Sequence, residues 1–124
     1  VDGRSIPVTF QRIANGTAIL ETFGPPGRQT ALVYHRDGSC LVATHYCAQG
    51  NQPRLRTCAG DPAHPVLRLM DVTDRDPAEA VLVELAFDLS APDAFERIED
   101  YAQADGSHER TTFRYTRAPE AASN

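Results

Sequence analysis

No apolar run in this chain approaches the roughly 18 residues needed to cross a bilayer as a helix, so the sequence excludes a helical membrane span. Charge of one sign is not gathered into blocks either. Twelve basic side chains are interspersed among 17 acidic ones, for a net charge of -5. The basic patch that marks a nucleic-acid or anionic-membrane partner is therefore not expected. Cysteine is scarce. There are three, an odd number without zinc-site spacing, which does not read as a disulfide framework. Cys40 and Cys47 would share one strand about 23 Å apart, beyond the reach of a disulfide. The expectation is of unbridged thiols in a reducing cytoplasm. No segment carries a persuasive helical period, and no internal repeat is visible. With 124 residues the chain is one domain that can bury roughly two-thirds of its unfolded surface without staples. It opens at Val1 without a methionine, so a trimmed start is expected and a missing signal peptide carries little weight.

What is present is turn chemistry at short intervals: Asn15-Gly16, Pro25-Pro26, Asp37-Gly38, Gly50-Asn51 and Asp105-Gly106. Between these turns lie Thr17 to Phe23, Gln29 to Arg36, Cys40 to Cys47 and Val81 to Leu89. Such spacing predicts an all-β antiparallel meander closing into an up-and-down barrel of about eight to nine strands over residues 1–117. Thr73 to Ala80 reads as a loop or one helical turn. Residues 118–124 read as a disordered tail.

Two-residue turns set the register by counting. One cross-sheet row becomes Phe10, Glu21, Thr30, His45 and Arg56. The next becomes Val8, Phe23, Arg28, Cys47 and Arg54, while Cys58 falls opposite Ala43 and Tyr34 lies beside Leu41. This face collects Val8, Phe10, Ile19, Phe23, Leu32 and Leu41, so it is read as the interior. The other face is richer in Thr, Ala and Gln. A bulge at Pro53, which has no N–H to give the ladder, would exchange the faces of Arg54 and Arg56.

On that register Thr44 to Arg54 forms one wall of a cavity. The expected ligand-binding residues are Phe10, Glu21, Tyr34, His45, Cys47, Arg54 and Arg56. Arg54 and Arg56, with Arg28, would hold a carboxylate or phosphate through forked bonds, and the apolar rows would hold the ligand's body. The alternative leaves Arg54 and Arg56 as exposed strand residues beside a turn. His45 titrates near neutrality and would lie about 10 Å from Glu21 across Thr30, given the strand spacing. The two are the candidate catalytic acid–base pair, although a satisfied polar network is the plainer reading. Cys47 beside His45 suggests a nucleophile, against the usual role of buried Cys as a small hydrophobe. A zinc site needs three or four converging ligands, and His35, His64 and His108 lie elsewhere. No cofactor is expected, with haem on a single His a minority reading. Asp100, placed opposite Thr111, would point inward, although an acid beside a turn is more often solvated.

Tyr34-His35-Arg36-Asp37-Gly38, Thr44-His45-Tyr46-Cys47 and Gly50-Asn51-Gln52-Pro53-Arg54 resemble a bacterial family of small, uncharacterised, lipocalin-like (calycin) β-barrels. Gly16 to Thr22 and Thr112 to Arg117 fit the same resemblance. It implies a barrel with an internal cavity and supplies no activity. Such proteins usually begin with a strand carrying a Trp-containing motif, and this chain has no Trp. A trimmed barrel, a partly open one, or one completed by a partner subunit as a homodimer is implied. The sequence thus points to a binder of a small, partly apolar, anionic molecule. A cofactor-independent isomerase, lyase or hydrolase, and a dimeric interaction module without a ligand, are the alternatives.

Overall fold

The computed structural model of the protein describes residues 6–118. The expected tail beyond Ala118 and the start at Val1 lie outside the described residues. Nine strands follow one another in chain order: β1 (Thr9–Ile13), β2 (Ala18–Phe23), β3 (Thr30–Asp37), β4 (Cys40–Tyr46), β5 (Gln52–Cys58), β6 (Val66–Thr73), β7 (Val81–Asp88), β8 (Ala94–Ala102) and β9 (His108–Thr116). Each pairs antiparallel with the next in a single sheet, as the run of turn signals predicts. Residues 74–80 form the expected loop.

The sheet curls into a half-barrel, and among the described residues no ladder joins β1 to β9. Right-handed twist brings the two ends face to face through side chains instead. The Phe10 ring meets those of Phe95 and Tyr115 edge-on, at centroid distances of 5.9 and 6.3 Å. The core lies on the concave face around Leu32, Tyr34, Ala43, Leu55, Leu67, Leu82 and Leu85. Each fully buried leucine here contributes about 1.5–3 kcal/mol relative to leaving it exposed. Phe10, Ile19 and Phe23 nevertheless keep 42, 42 and 37% of their surface exposed. They were expected inside.

The observed register departs from counting at four turns. Only the first hairpin agrees, with Phe10 opposite Glu21. Gly24 to Gln29 forms a six-residue connection that sets Phe23 opposite Thr30 and Glu21 opposite Leu32. The next turn is centred on Gly38 and Ser39, with Asp37 opposite Cys40, which sets Leu32 opposite His45. These two errors are even, so they slide the rows without changing any residue's face.

The β4–β5 error is odd. Cys47 N–H donates to the Asn51 carbonyl at 3.2 Å and Gly50 N–H to the Cys47 carbonyl at 2.9 Å. The loop therefore has three residues, with Gly50 at φ +102 completing it, the usual three-residue hairpin with a glycine bulge. Thr44 then faces Arg54 and Val42 faces Arg56. Every β5 side chain changes face, sending Pro53 and Leu55 inward and Arg54 and Arg56 outward. The exchange at Arg54 and Arg56 comes from this loop, and the nearby ladder irregularity lies across Arg54 and Leu55 in the pairing with β6.

The same odd shift overturns the expectation of unbridged thiols. It places Cys40 directly opposite Cys58, with Cα atoms 4.2 Å apart, and the two form a disulfide. Cys47 remains free. At the last hairpin, Gln103 N–H donates to the Ser107 carbonyl and Gly106 N–H to the Gln103 carbonyl. That loop has the same form, and it sets Asp100, 8% exposed, opposite Arg110 rather than Thr111. An irregularity between Leu82 and Glu84 also breaks the plain alternation expected along β7.

Candidate functional site

Glu21 lies at the middle of β2, opposite Leu32, and has no exposed surface. A buried carboxylate must be paired to remain charged. Its partner is Arg97 of β8, 2% exposed and 76 residues away in the chain. Arg97 Nη1 and Nη2 donate to Glu21 Oε1 and Oε2 at 2.7 and 2.9 Å, the forked geometry that makes such pairs strong. The Tyr34 hydroxyl donates to Glu21 Oε1 at 2.7 Å and accepts from Arg97 Nη1 at 3.3 Å. Glu99, two residues along the same face of β8, accepts from Arg97 Nε at 3.0 Å and lies 2.8 Å from Nη2. The guanidinium also sits over the Tyr115 ring, 4.9 Å from its centroid.

Burial pushes the Tyr34 hydroxyl far above its ordinary pKa, and the neighbouring Glu21 charge adds to the effect. Tyr34 is therefore a hydrogen-bond donor at any physiological pH. Burial alone would lower the Arg97 pKa, but the Glu21 hydrogen bonds and charge outweigh it and hold the guanidinium charged. Burial raises the Glu99 pKa against the opposing attraction of Arg97.

Next to this network a cavity of about 210 Å³ opens at the β4–β5 loop end of the half-barrel. Phe23, Leu32, Leu82 and Tyr101 form its apolar walls. Thr30, His45, Cys47, Gln49, Arg97 and Glu99 supply its polar groups. His45 is only 4% exposed, and its ring meets that of Tyr101 edge-on at 6.5 Å. Burial lowers its pKa, against the pull of the Ala31 backbone and the Glu21 charge, so the imidazole is neutral at pH 7. His45 Nδ1 and Thr30 Oγ1 are buried without a hydrogen-bond partner. The Cys47 sulfur receives contacts from the Gln49 backbone N–H at 3.5 Å and its side-chain amide at 3.6 Å. Asn51, fully buried, donates to Glu79 and to the Ala80 carbonyl, each at 3.3 Å. These bonds tie the loop after Cys47 to the start of β7.

The structure brings together only some of the expected residues. His45 and Cys47 line the cavity, while Tyr34 and Glu21 lie in the adjoining network. Glu21 and His45 stand one strand apart from Leu32 on either side, rather than from Thr30. Both Glu21 oxygens accept hydrogen bonds from Arg97 and Tyr34, and no hydrogen bond joins Glu21 to His45 among the described residues. Phe10 sits in the aromatic cluster with Phe95 and Tyr115, outside the cavity wall. Arg54 and Arg56 lie on the outer surface, where Arg54 pairs with Asp71 at 2.8 Å. Arg28 is exposed in the β2–β3 connection. Arg28, Arg54 and Arg56 therefore do not converge on this cavity.

The missed residues are Arg97, Glu99 and Tyr101. Phe95-Glu96-Arg97-Ile98-Glu99-Asp100-Tyr101 alternates aromatic and charged residues with strand period, placing Phe95, Arg97, Glu99 and Tyr101 on one face. Two opposite charges on a single strand face were the available signal. Their partner on β2 could not be found by counting adjacent hairpins.

Outside the cavity, the Asp100 carboxylate receives Arg110 Nη1 at 2.9 Å and lies 2.8 Å from His108 Nδ1. His64 similarly contacts Asp61 at 2.8 Å. Among the described residues no group of three or more His, Cys, Asp or Glu side chains converges as a metal site would require. No helix of the described residues is long and apolar enough to cross a membrane. No protein-family model, curated protein or solved structure matches this chain.

Proposed function

We propose that the protein binds a small, partly apolar molecule in the cavity beside His45, in the manner of a lipocalin-like barrel. The observation that carries this reading is the pair of buried, unpartnered polar atoms, His45 Nδ1 and Thr30 Oγ1, on residues that line a part-apolar cavity. Leaving such atoms without hydrogen bonds costs about 1–3 kcal/mol each, a cost that a functional group commonly bears. At about 210 Å³ the space is below the usual range for drug-sized ligands, which suits a compact molecule. The test is a thermal-shift screen of small aromatic and aliphatic fragments, with and without alkylation of Cys47 by iodoacetamide. Binders should stabilise the free protein and lose their effect on the alkylated one. Fragments that stabilise both forms equally would place binding elsewhere.

Proton-transfer chemistry in the same cavity is the second reading. It is favoured by a neutral His45 and by Glu99, whose pKa burial raises, both of which line the cavity. Glu99, and not Glu21, is the carboxyl group in that lining. Turnover that survives His45→Gln would dispose of it. Among the described residues the outer edges of β1 and β9 carry no ladder, which offers a homodimer a place to pair, and sedimentation of the purified chain by analytical ultracentrifugation decides its mass. For location, the bridged Cys40 and Cys58 favour an oxidising compartment over a reducing cytoplasm. Trapping thiols in intact cells should find one free cysteine in the first case and three in the second.

A further inference from the structure

The ligand's charge can be argued from the donors and acceptors of the network. A guanidinium carries five N–H donors, and here four are hydrogen-bonded: Nε to Glu99, Nη1 to Glu21 and Tyr34, and Nη2 to Glu21, while Nη2 also lies 2.8 Å from Glu99 Oε2 as an ion pair. Among the described residues Arg97 is the one cation that lines the cavity, and its single charge is already paired with two carboxylates. The carboxylates are not exhausted in the same way. Glu21 and Glu99 together bring two negative charges against the single positive charge of Arg97. Glu99 engages through Oε2, and among the described residues its Oε1 has no hydrogen-bond partner. His45 is neutral in this setting, and a neutral imidazole offers one acceptor nitrogen in either tautomer. Phe23 and Tyr101 bring aromatic rings to the same walls, surfaces that also attract cations.

We infer that the cavity takes a small organic cation, a protonated amine on a compact apolar body, with its ammonium group on Glu99 and its body between Phe23, Leu82 and Tyr101. The inference rests on the cavity-binding reading above and reverses the sign of charge expected from the sequence. Binding brings a positive charge to the carboxylate that Arg97 leaves partly uncompensated, so the amine and Glu99 stabilise each other's charged forms. An anionic ligand would instead meet the excess carboxylate and a guanidinium already paired with Glu21 and Glu99.

Three probes of nearly one shape test this on the full chain by isothermal titration: benzylamine, benzyl alcohol and benzoate. Benzylamine should bind roughly tenfold or more tighter than benzyl alcohol, the margin of a charge-assisted hydrogen bond, and benzoate should not bind. Glu99→Gln should bring benzylamine down to the level of benzyl alcohol while leaving benzyl alcohol unchanged. Benzyl alcohol or benzoate binding as well as benzylamine would overturn the cation inference and leave the cavity reading standing. Unaltered benzylamine affinity in Glu99→Gln would do the same. If none of the three binds, both fail. Should Glu99→Gln not fold, the comparison of the three probes on the unmodified chain still decides.

Discussion

Arg97 holds two acidic side chains and a tyrosine around one guanidinium inside a half-barrel that is otherwise leucine-rich. Removing one member of a buried pair strands the other's charge, so Arg97→Met should cost about 3–5 kcal/mol in urea denaturation. The double variant Glu21→Gln/Arg97→Met should recover much of that, because no buried charge is left alone at Glu21. Equal losses in the single and double variants would show that the pair is not the source of the cost. The two titrating groups of the cavity pull stability in opposite directions with pH. His45 has its folded pKa below the ordinary 6.5, so the unfolded chain takes up its proton first. Stability should fall as pH drops from about 6.5 toward the folded value. Glu99 has its folded pKa above the ordinary 4.5, so stability should fall as pH rises from 4.5 toward its folded value. Denaturation midpoints across pH should lose the first slope in His45→Gln and the second in Glu99→Gln. At this scale the sequence was half legible. His45 and Cys47 stood out as reactive types in one dense stretch, whereas Arg97 and Glu99 looked like ordinary strand charges until β8 was seen facing β2.

Loop length decides which face each hairpin presents, and the β4–β5 hairpin shows how much one residue matters. Nine strands and their order follow from turn residues and alternation, which are local properties. Register depends on whether Gly50 lies inside a two-residue or a three-residue loop, and both forms use glycine. Counting chose the shorter form, which put Arg54 and Arg56 inside and separated Cys40 from Cys58. The even errors at Pro25-Pro26 and Asp37-Gly38 were harmless to the interior because they preserved side-chain parity. Gly50 has φ +102 and open space where a Cβ would go, so Gly50→Ala meets backbone strain without a clash. It should cost about 1–3 kcal/mol by thermal or urea unfolding, and no measurable loss would argue against the left-handed loop. The disulfide pins the same register from the other end of β4 and β5, closing a separation of 18 residues. Converting both Cys40 and Cys58 to Ala should lower stability by about 3 kcal/mol on the chain-entropy account. The reduced and oxidised forms of the unmodified chain should differ by a similar amount.

As a whole molecule the protein is a strip of neighbouring hairpins bent until its two ends meet. Among the described residues the sheet does not close through backbone; its ends are held by the Phe10–Phe95–Tyr115 aromatic contacts and by Glu21 with Arg97. That arrangement bears on the order in which the molecule assembles. Successive hairpins require only short chain closures, which are quick and entropically mild. The Glu21–Arg97 bond spans 76 positions, so it can form only after the intervening strands are in place. It should therefore be missing from the folding transition state. In stopped-flow kinetics Arg97→Met should speed unfolding by nearly its full stability loss and leave the refolding rate almost unchanged. The buried ion pair then acts as a clasp: it sets how long the curled sheet stays shut and has little influence on how fast it rolls up.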